Sequence, residues 1–316
     1  MTKRKLTAEE RKQLQIQREL KWQSLTLADD FLFGKIMSDP ELCREMIDRI
    51  FPSLKIGDIK VIQTQKRIKN ALHLRGIQLD LFANTNDRKT FDFEIQTTSR
   101  LDQFKRTRAY HIAIGFDGLK LANLKQSGFY DDLPETFVVF ICTFDPFGKG
   151  RHVYSFENYC TEDRDIKLND GGYTVFLNTE GMMNDISPRL QRFLDYIAGR
   201  NASKKDRFIR TLNTKLKEAK ENVTWRREYM LLLSREAEKF AEGRIEGRAE
   251  GRVEGRIEGR IEGRAEGKVE GIDETRKGVA TDMIREGEPL SKILKYSRLA
   301  EDTIFAIAKS LGVNLA

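Results

Sequence analysis

Within residues 79–96, LDLFANTNDRKTFDFEIQ, three side chains have the types and spacing for chemistry on a phosphate: Asp80, Glu94 and Gln96. Phe91, Phe93 and Ile95 alternate with Asp92, Glu94 and Gln96, the period of a strand. The polar run NTNDRK before it is a turn. A turn centred on Asp87 sets Asp80 opposite Glu94, and such a pair has Cβ atoms ~4.5–5.5 Å apart on one face. Two carboxylates that close repel unless a proton or a cation lies between them. A divalent metal is the economical solution: Mg²⁺ takes one or two carboxylates and leaves its other positions to water and substrate phosphate. It would polarise the phosphate and generate hydroxide from water. A plainer reading stands beside this one, because alternating polar residues also line the solvated face of many antiparallel sheets.

The elements that must position these residues are legible in outline. Asp39 before Pro40 caps a helix in DPELCREMIDRIF, and LADDFLFGKIM before it is helical in pattern. DIKVIQTQKRI, GIQLDLFANT and TFDFEIQTT form three strands in a meander. Leu101, Phe104, Ala109, Ile112 and Phe116 supply apolar residues that predict a helix at least to about residue 114. ETFVVFICTF is a continuous apolar run, as in a strand buried on both faces, and HVYSF and YTVFLNT are shorter strands. From Ser187 onward the pattern is helical. The fold class expected is α/β, an αβββαβ core with a long C-terminal helical extension. The divisions expected are a basic arm (1–24), the core (25–200), a basic helical segment (201–240), a repeat helix (241–271) and a helical tail (272–316).

Charge points to partners. The net charge is +7, and its excess is local: residues 1–24 carry seven Lys/Arg against three Glu, and residues 201–227 carry nine against three acids. Such segments neutralise phosphates, or serve as solvated helix surfaces. No apolar run approaches the ~18 residues of a membrane span, so no membrane partner is expected. The charged N-terminus lacks the apolar region of a secretory signal. Cys43, Cys142 and Cys160 are odd in number and widely spaced, so a cytoplasmic location with reduced thiols is expected. His73, His111 and His152 have no metal-ligand spacing, and FGKGRH lacks the pattern of a P-loop.

At DLFANTNDRKTFDFEIQ the chain resembles the PD-(D/E)XK nucleases, whose core motif is an acid, a hairpin and Glu-x-Lys. It is most similar to the branch of PD-(D/E)XK family transposases, or Rpn-type recombination-promoting nucleases, where Glu-x-Gln often stands for Glu-x-Lys. The resemblance covers residues 25–200, from DDFLFGKIMSDPEL through the hairpin to the helix with Arg108 and Tyr110. It implies a restriction-endonuclease-like fold. It implies Asp80, Glu94 and the backbone carbonyl of Ile95 as ligands of Mg²⁺ or Mn²⁺, with Asp30 supporting the metal shell and Gln96 in the lysine position. The implied activity is endonucleolytic hydrolysis of DNA linked to recombination or mobile elements. The alternative is a catalytically weak DNA-binding or self-assembling protein on the same fold, and RNA as substrate stays open. Gln96 orients a water but brings no positive charge. Gln103, Arg106 and Arg108 are candidates for contacts to DNA phosphates, or are a solvated helix face, and Asp92 flanks the site.

Residues 241–271, AEGRIEGRAEGRVEGRIEGRIEGRAEGKVEG, repeat apolar-Glu-Gly-Arg with period four. Neighbours at i,i+4 have like charge, and each glycine costs about 1 kcal/mol against alanine in a helix. The tract is therefore either a disordered linker or a helix that needs a partner, and a parallel homo-oligomer through it is expected.

Overall fold

A computed structural model describes residues 7–68, 77–99, 103–121, 133–200 and 205–315. In chain order the elements are α1 (Ala8–Ser24), α2 (Asp30–Met37), α3 (Pro40–Ile50), β1 (Ile59–Ile68), β2 (Ile77–Thr85), β3 (Lys89–Gln96), α4 (Gln103–Leu121), β4 (Glu135–Cys142), β5 (Val153–Phe156), β6 (Gly172–Asn178), α5 (Pro188–Ile197), α6 (Arg207–Glu221), α7 (Val223–Arg285), α8 (Leu290–Ser297) and α9 (Glu301–Leu311). The chain is mixed α/β and divides into two compact units, Met1–Leu232 and Leu233–Ala316. No helix among the described residues is long and apolar enough to cross a membrane.

The first unit is built on a six-stranded sheet of order β1-β2-β3-β4-β6-β5. β1, β2 and β3 form the expected antiparallel meander. β4 then lies parallel to β3, a connection that needs a crossover, and α4 supplies it. β6 continues parallel beside β4, and β5 closes the edge antiparallel to β6.

β3 and β4 are central, so both faces are covered. On one face Phe91 and Phe137 stack at 4.7 Å, with Phe51 from the end of α3 against both. On the other, Tyr110 of α4 stacks on Phe140, and Phe140 on Phe176. His111 pins α4 down, its two ring nitrogens on Thr136 and Thr174 at 2.8 and 2.9 Å.

The apolar positions that mark α4 in the sequence are mostly not the ones it buries. Tyr110, Ala113 and Ile114 face the core, while Ile112 and Phe116 are half exposed and Phe104 covers Phe147 at the rim. Leu101 lies outside the described residues. A core that accepts the polar edge of Tyr110 misleads a count of apolar positions alone. The helix runs to Leu121, in keeping with the expected minimum near residue 114.

The two basic segments join this unit. Trp22 of α1 is wholly buried, packs on Phe31 and Tyr229, and donates its indole N–H to the Lys220 carbonyl at 3.0 Å. Asp206, the cap of α6, also receives Arg49 through two hydrogen bonds and Arg192 through one. These contacts tie α1, α3, α5 and α6 together across long sequence distances.

In the second unit the repeat tract is helical, as part of α7. The end of α7 packs with α8 and α9 through Ala280, Ile284, Ile293, Ile304 and Ala308. Arg298, left-handed at φ 55°, stops α8, and Gly312 at φ 71° stops α9.

Candidate active site

The hairpin register is the one the turn predicts: Leu81 pairs with Phe93 and Phe82 with Asp92. The ladder stops there, one residue short of Asp80 and Glu94, while β3 continues along β4 to Gln96. The strands therefore part where the two carboxylates sit.

The parting has a backbone cause. Leu79 and Phe82 share the core beneath α4, although residues three apart on a strand face opposite sides. On β1 the same break is visible. Thr64 packs toward Gly34 of α2, whereas Lys66 lies over the Phe82 ring and pairs with Asp117 of α4. Between them Gln65 has φ 50°, an uncommon value for a side-chain-bearing residue. Gln65 lies opposite Asp80 in the register, so both strands break alternation at this level.

Each carboxylate is held by the opposite strand. Glu94 Oε1 accepts the Asp80 amide at 3.0 Å, and the Asp80 carboxylate accepts the Ile95 amide. Glu94 Oε2 accepts from Tyr110 Oη at 3.0 Å and from Arg106 Nη2 at 3.2 Å. Arg106 Nη1 donates to Gln96 Oε1 at 3.2 Å. Its other nitrogens reach the Tyr110 hydroxyl. Arg106 and Tyr110 are one helical turn apart, so α4 delivers them together.

The polar face of β3 is not solvated. Asp92 and Glu94 are 0% and 1% exposed and Gln96 is 9% exposed, all under α4. Burial therefore dominates the electrostatics. It raises the Asp80 carboxyl to about 8, helped by Glu94 and then Asp30. It raises Glu94 to about 7, against the pull of the Asp80 amide, Arg106 and Tyr110. Asp92, with both oxygens buried and unpartnered, is pushed well above the carboxylate range by burial and by Glu94. Asp29, at the cap of α2, rises to about 6 through burial and Asp30. A group of acids that all resist ionisation together is short of positive charge.

A cavity of about 540 Å³ opens at this place, lined by Asp29, Asp30, Asp80, Glu94, Ile95, Gln96 and Arg106 among others. The Gln96 carbonyl accepts the Thr143 amide on the β4 side, so strand alternation turns the Ile95 carbonyl the other way, toward β2. Asp30 is exposed at the cavity wall. The predicted residues Asp80, Glu94, Ile95, Gln96, Asp30 and Arg106 are thus brought together. Arg108 is exposed and, two residues on, lies about 200° round the helix from Arg106. Gln103 is in α4, its side chain outside the described residues. Among the described residues no group of three or more His, Cys, Asp and Glu is arranged to hold a metal ion. The oxygen donors here are two carboxylates, a backbone carbonyl and an amide, with Asp30 on the same cavity wall. That is a donor set of the hard, partly hydrated kind suited to Mg²⁺.

Sequence reading missed two things. One is the Arg106–Tyr110 clamp on Glu94, which the four-residue spacing after the hairpin could have suggested. The other is the complete burial of Asp92, which strand periodicity cannot show. Asp92→Leu should stabilise the metal-free protein by about 1 kcal/mol or more, because it removes an unpartnered buried acid. Urea unfolding measures this, and a loss of stability would show that the carboxyl has a partner such as a buried water.

Compared with family models, curated proteins and solved structures, the chain matches none.

Proposed function

We propose that the chain is a metal-dependent endodeoxyribonuclease of the PD-(D/E)XK type, hydrolysing phosphodiester bonds. The observation that carries this reading is the paired Asp80 and Glu94 at a parted hairpin, open to a cavity and short of positive charge. The element order supports it: an antiparallel meander, a crossover helix and a parallel strand suit a restriction-endonuclease-like core. The link to recombination or mobile DNA rests on the sequence resemblance over residues 25–200 alone.

Mg²⁺ or Mn²⁺ held by Asp80, Glu94 and the Ile95 carbonyl would supply Lewis acidity and an acidified water. The chain's own groups do the rest. Asp80 and Glu94, both raised by burial, would have to lose their protons to ligate a cation. Asp30 adds negative charge at the cavity wall. Gln96 orients the attacking water through its amide. Arg106 is a cation in direct contact with Glu94 and Gln96, and it takes over the charge stabilisation that a lysine at position 96 would give. The exposed Arg108 is free to meet a phosphate along the helix.

This assignment of Arg106 is testable. Arg106→Ala should slow cleavage by about 10²-fold, the scale for removing one charge-stabilising donor. Gln96→Lys in that background should recover part of the loss, whereas in the wild type it sets two cations together and should not help. No recovery in the double variant would show that Arg106 acts through Glu94 geometry instead.

The reading itself is tested by incubating supercoiled plasmid with the protein and Mg²⁺ or Mn²⁺, with a chelator control. Nicked or linear product that vanishes with chelator is expected. Retention of DNA without cleavage would favour the second reading, a catalytically weak DNA-binding protein, which Gln96 in the lysine position keeps open. Parallel assays on RNA distinguish the nucleic acid.

A further inference from the structure

Among the described residues the repeat tract is uncovered. Residues 242–272 are all exposed, with Ile245 and Val269 65% and 67% exposed. A Cβ added at Gly243, Gly247, Gly251, Gly255, Gly259, Gly263, Gly267 or Gly271 would meet nothing within 4 Å. Glycine weakens a helix, and no contact among the described residues requires it here.

The charges are equally unprovided for. Four residues from each Glu stands another Glu, and three residues on stands an apolar residue or, after Glu270, Asp273. Four residues from each Arg stands Arg or Lys, and three residues on stands Gly. The positions at which helical neighbours meet thus never hold opposite charges. Arg252 and Arg256 instead turn to backbone carbonyls one turn back, at 3.2 and 3.3 Å.

We infer that the tract is a self-association site whose occupant is a second copy of the same tract, parallel and in register. Viewed down the helix, the Glu column lies about 100° to one side of the apolar column and the Arg column about 60° to the other. In a parallel pair with apolar columns facing, each Glu column comes beside the partner's Arg column. In an antiparallel pair Glu would meet Glu and Arg would meet Arg. Charge complementarity therefore selects both the occupant and its direction. The columns advance about 40° per repeat, so the pair winds right-handed to keep them in contact. Glycine leaves room for close backbone approach where that column crosses the seam. The inference is independent of the nuclease reading and places the N-terminal ends of the two tracts together.

The test uses the full chain. Sedimentation at micromolar concentration should show a dimer or larger species. A cationic variant (Glu246→Lys, Glu250→Lys, Glu254→Lys, Glu258→Lys) and an acidic one (Arg248→Glu, Arg252→Glu, Arg256→Glu, Arg260→Glu) should each self-associate at least about tenfold more weakly. An equimolar mixture of the two should associate again. Spin labels at Ala241→Cys or Ile272→Cys, with Cys160→Ser, should give short intermolecular distances at both ends. A monomeric wild type, a cationic variant that self-associates normally, a mixture that stays dissociated, or distances of about 45 Å as an antiparallel pair requires, would each overturn the inference.

Discussion

Glu94→Gln and Asp80→Asn should each lower metal-dependent cleavage by at least about 10³-fold, the loss of a few kcal/mol of transition-state stabilisation. Both substitutions keep the shape of the side chain. The amide oxygen introduced by Glu94→Gln would still accept the Asp80 backbone N–H where Glu94 Oε1 does, and the one introduced by Asp80→Asn would still accept the Ile95 N–H. What is lost is charge at the pair of acids that the parted hairpin brings face to face. The fold should survive, because burial already disfavours the ionised form of each. Circular dichroism and thermal melting of the metal-free variants check this, and plasmid nicking measures the rate. Cleavage by both variants at the wild-type rate would remove the site from the reaction.

Metal-free protein should lose stability as pH rises from about 6.5 to 8.5. Asp80 and Glu94 are raised to about 8 and 7 from ordinary values of 3.8 and 4.5. In that range the folded chain still holds protons that the unfolded chain has released. The stability associated with them is complete below about pH 4 and is lost as pH climbs through the folded values. The expected decline is about 1 kcal/mol or more, roughly 2–4 °C in Tm for a unit of this size. Asp80→Asn should flatten it, and so should saturating Mg²⁺, which favours the ionised pair. His111 works in the opposite sense, since burial lowers its pKa from 6.5, but its effect falls at lower pH. A metal-free melting temperature that holds steady or rises across the range would contradict the electrostatics described here.

Much of this site is legible in the chain because local rules decide it. The turn residues at 84–89 set the register, and the register places Asp80 near Glu94. Asp39 with Pro40 and Ser187 with Pro188 mark helix starts where they occur. Two features depend on tertiary context instead. Whether the polar face of β3 meets water or α4 depends on sheet order, which period-two alternation does not encode. The helix that covers it hides its role, because Arg106 and Tyr110 interrupt the apolar stripe that would reveal the inward face. The kink at Gln65 is likewise invisible, since nothing in Thr64-Gln65-Lys66 marks a positive φ. The packing of Trp22 between α1, α2 and α7 is a contact of long sequence separation, so the charged segment around it looks like a free arm.

The central claim is that Asp80 and Glu94 jointly hold a divalent cation. Calorimetric titration of the full-length protein with Mn²⁺, in the wild type and in Asp80→Asn and Glu94→Gln, tests it without requiring any substrate. Saturable binding is expected in the wild type, with proton release that grows as pH falls below about 8, and loss of that binding in both variants. Equal Mn²⁺ binding by the wild type and both variants, or none by the wild type at millimolar concentration, would contradict it.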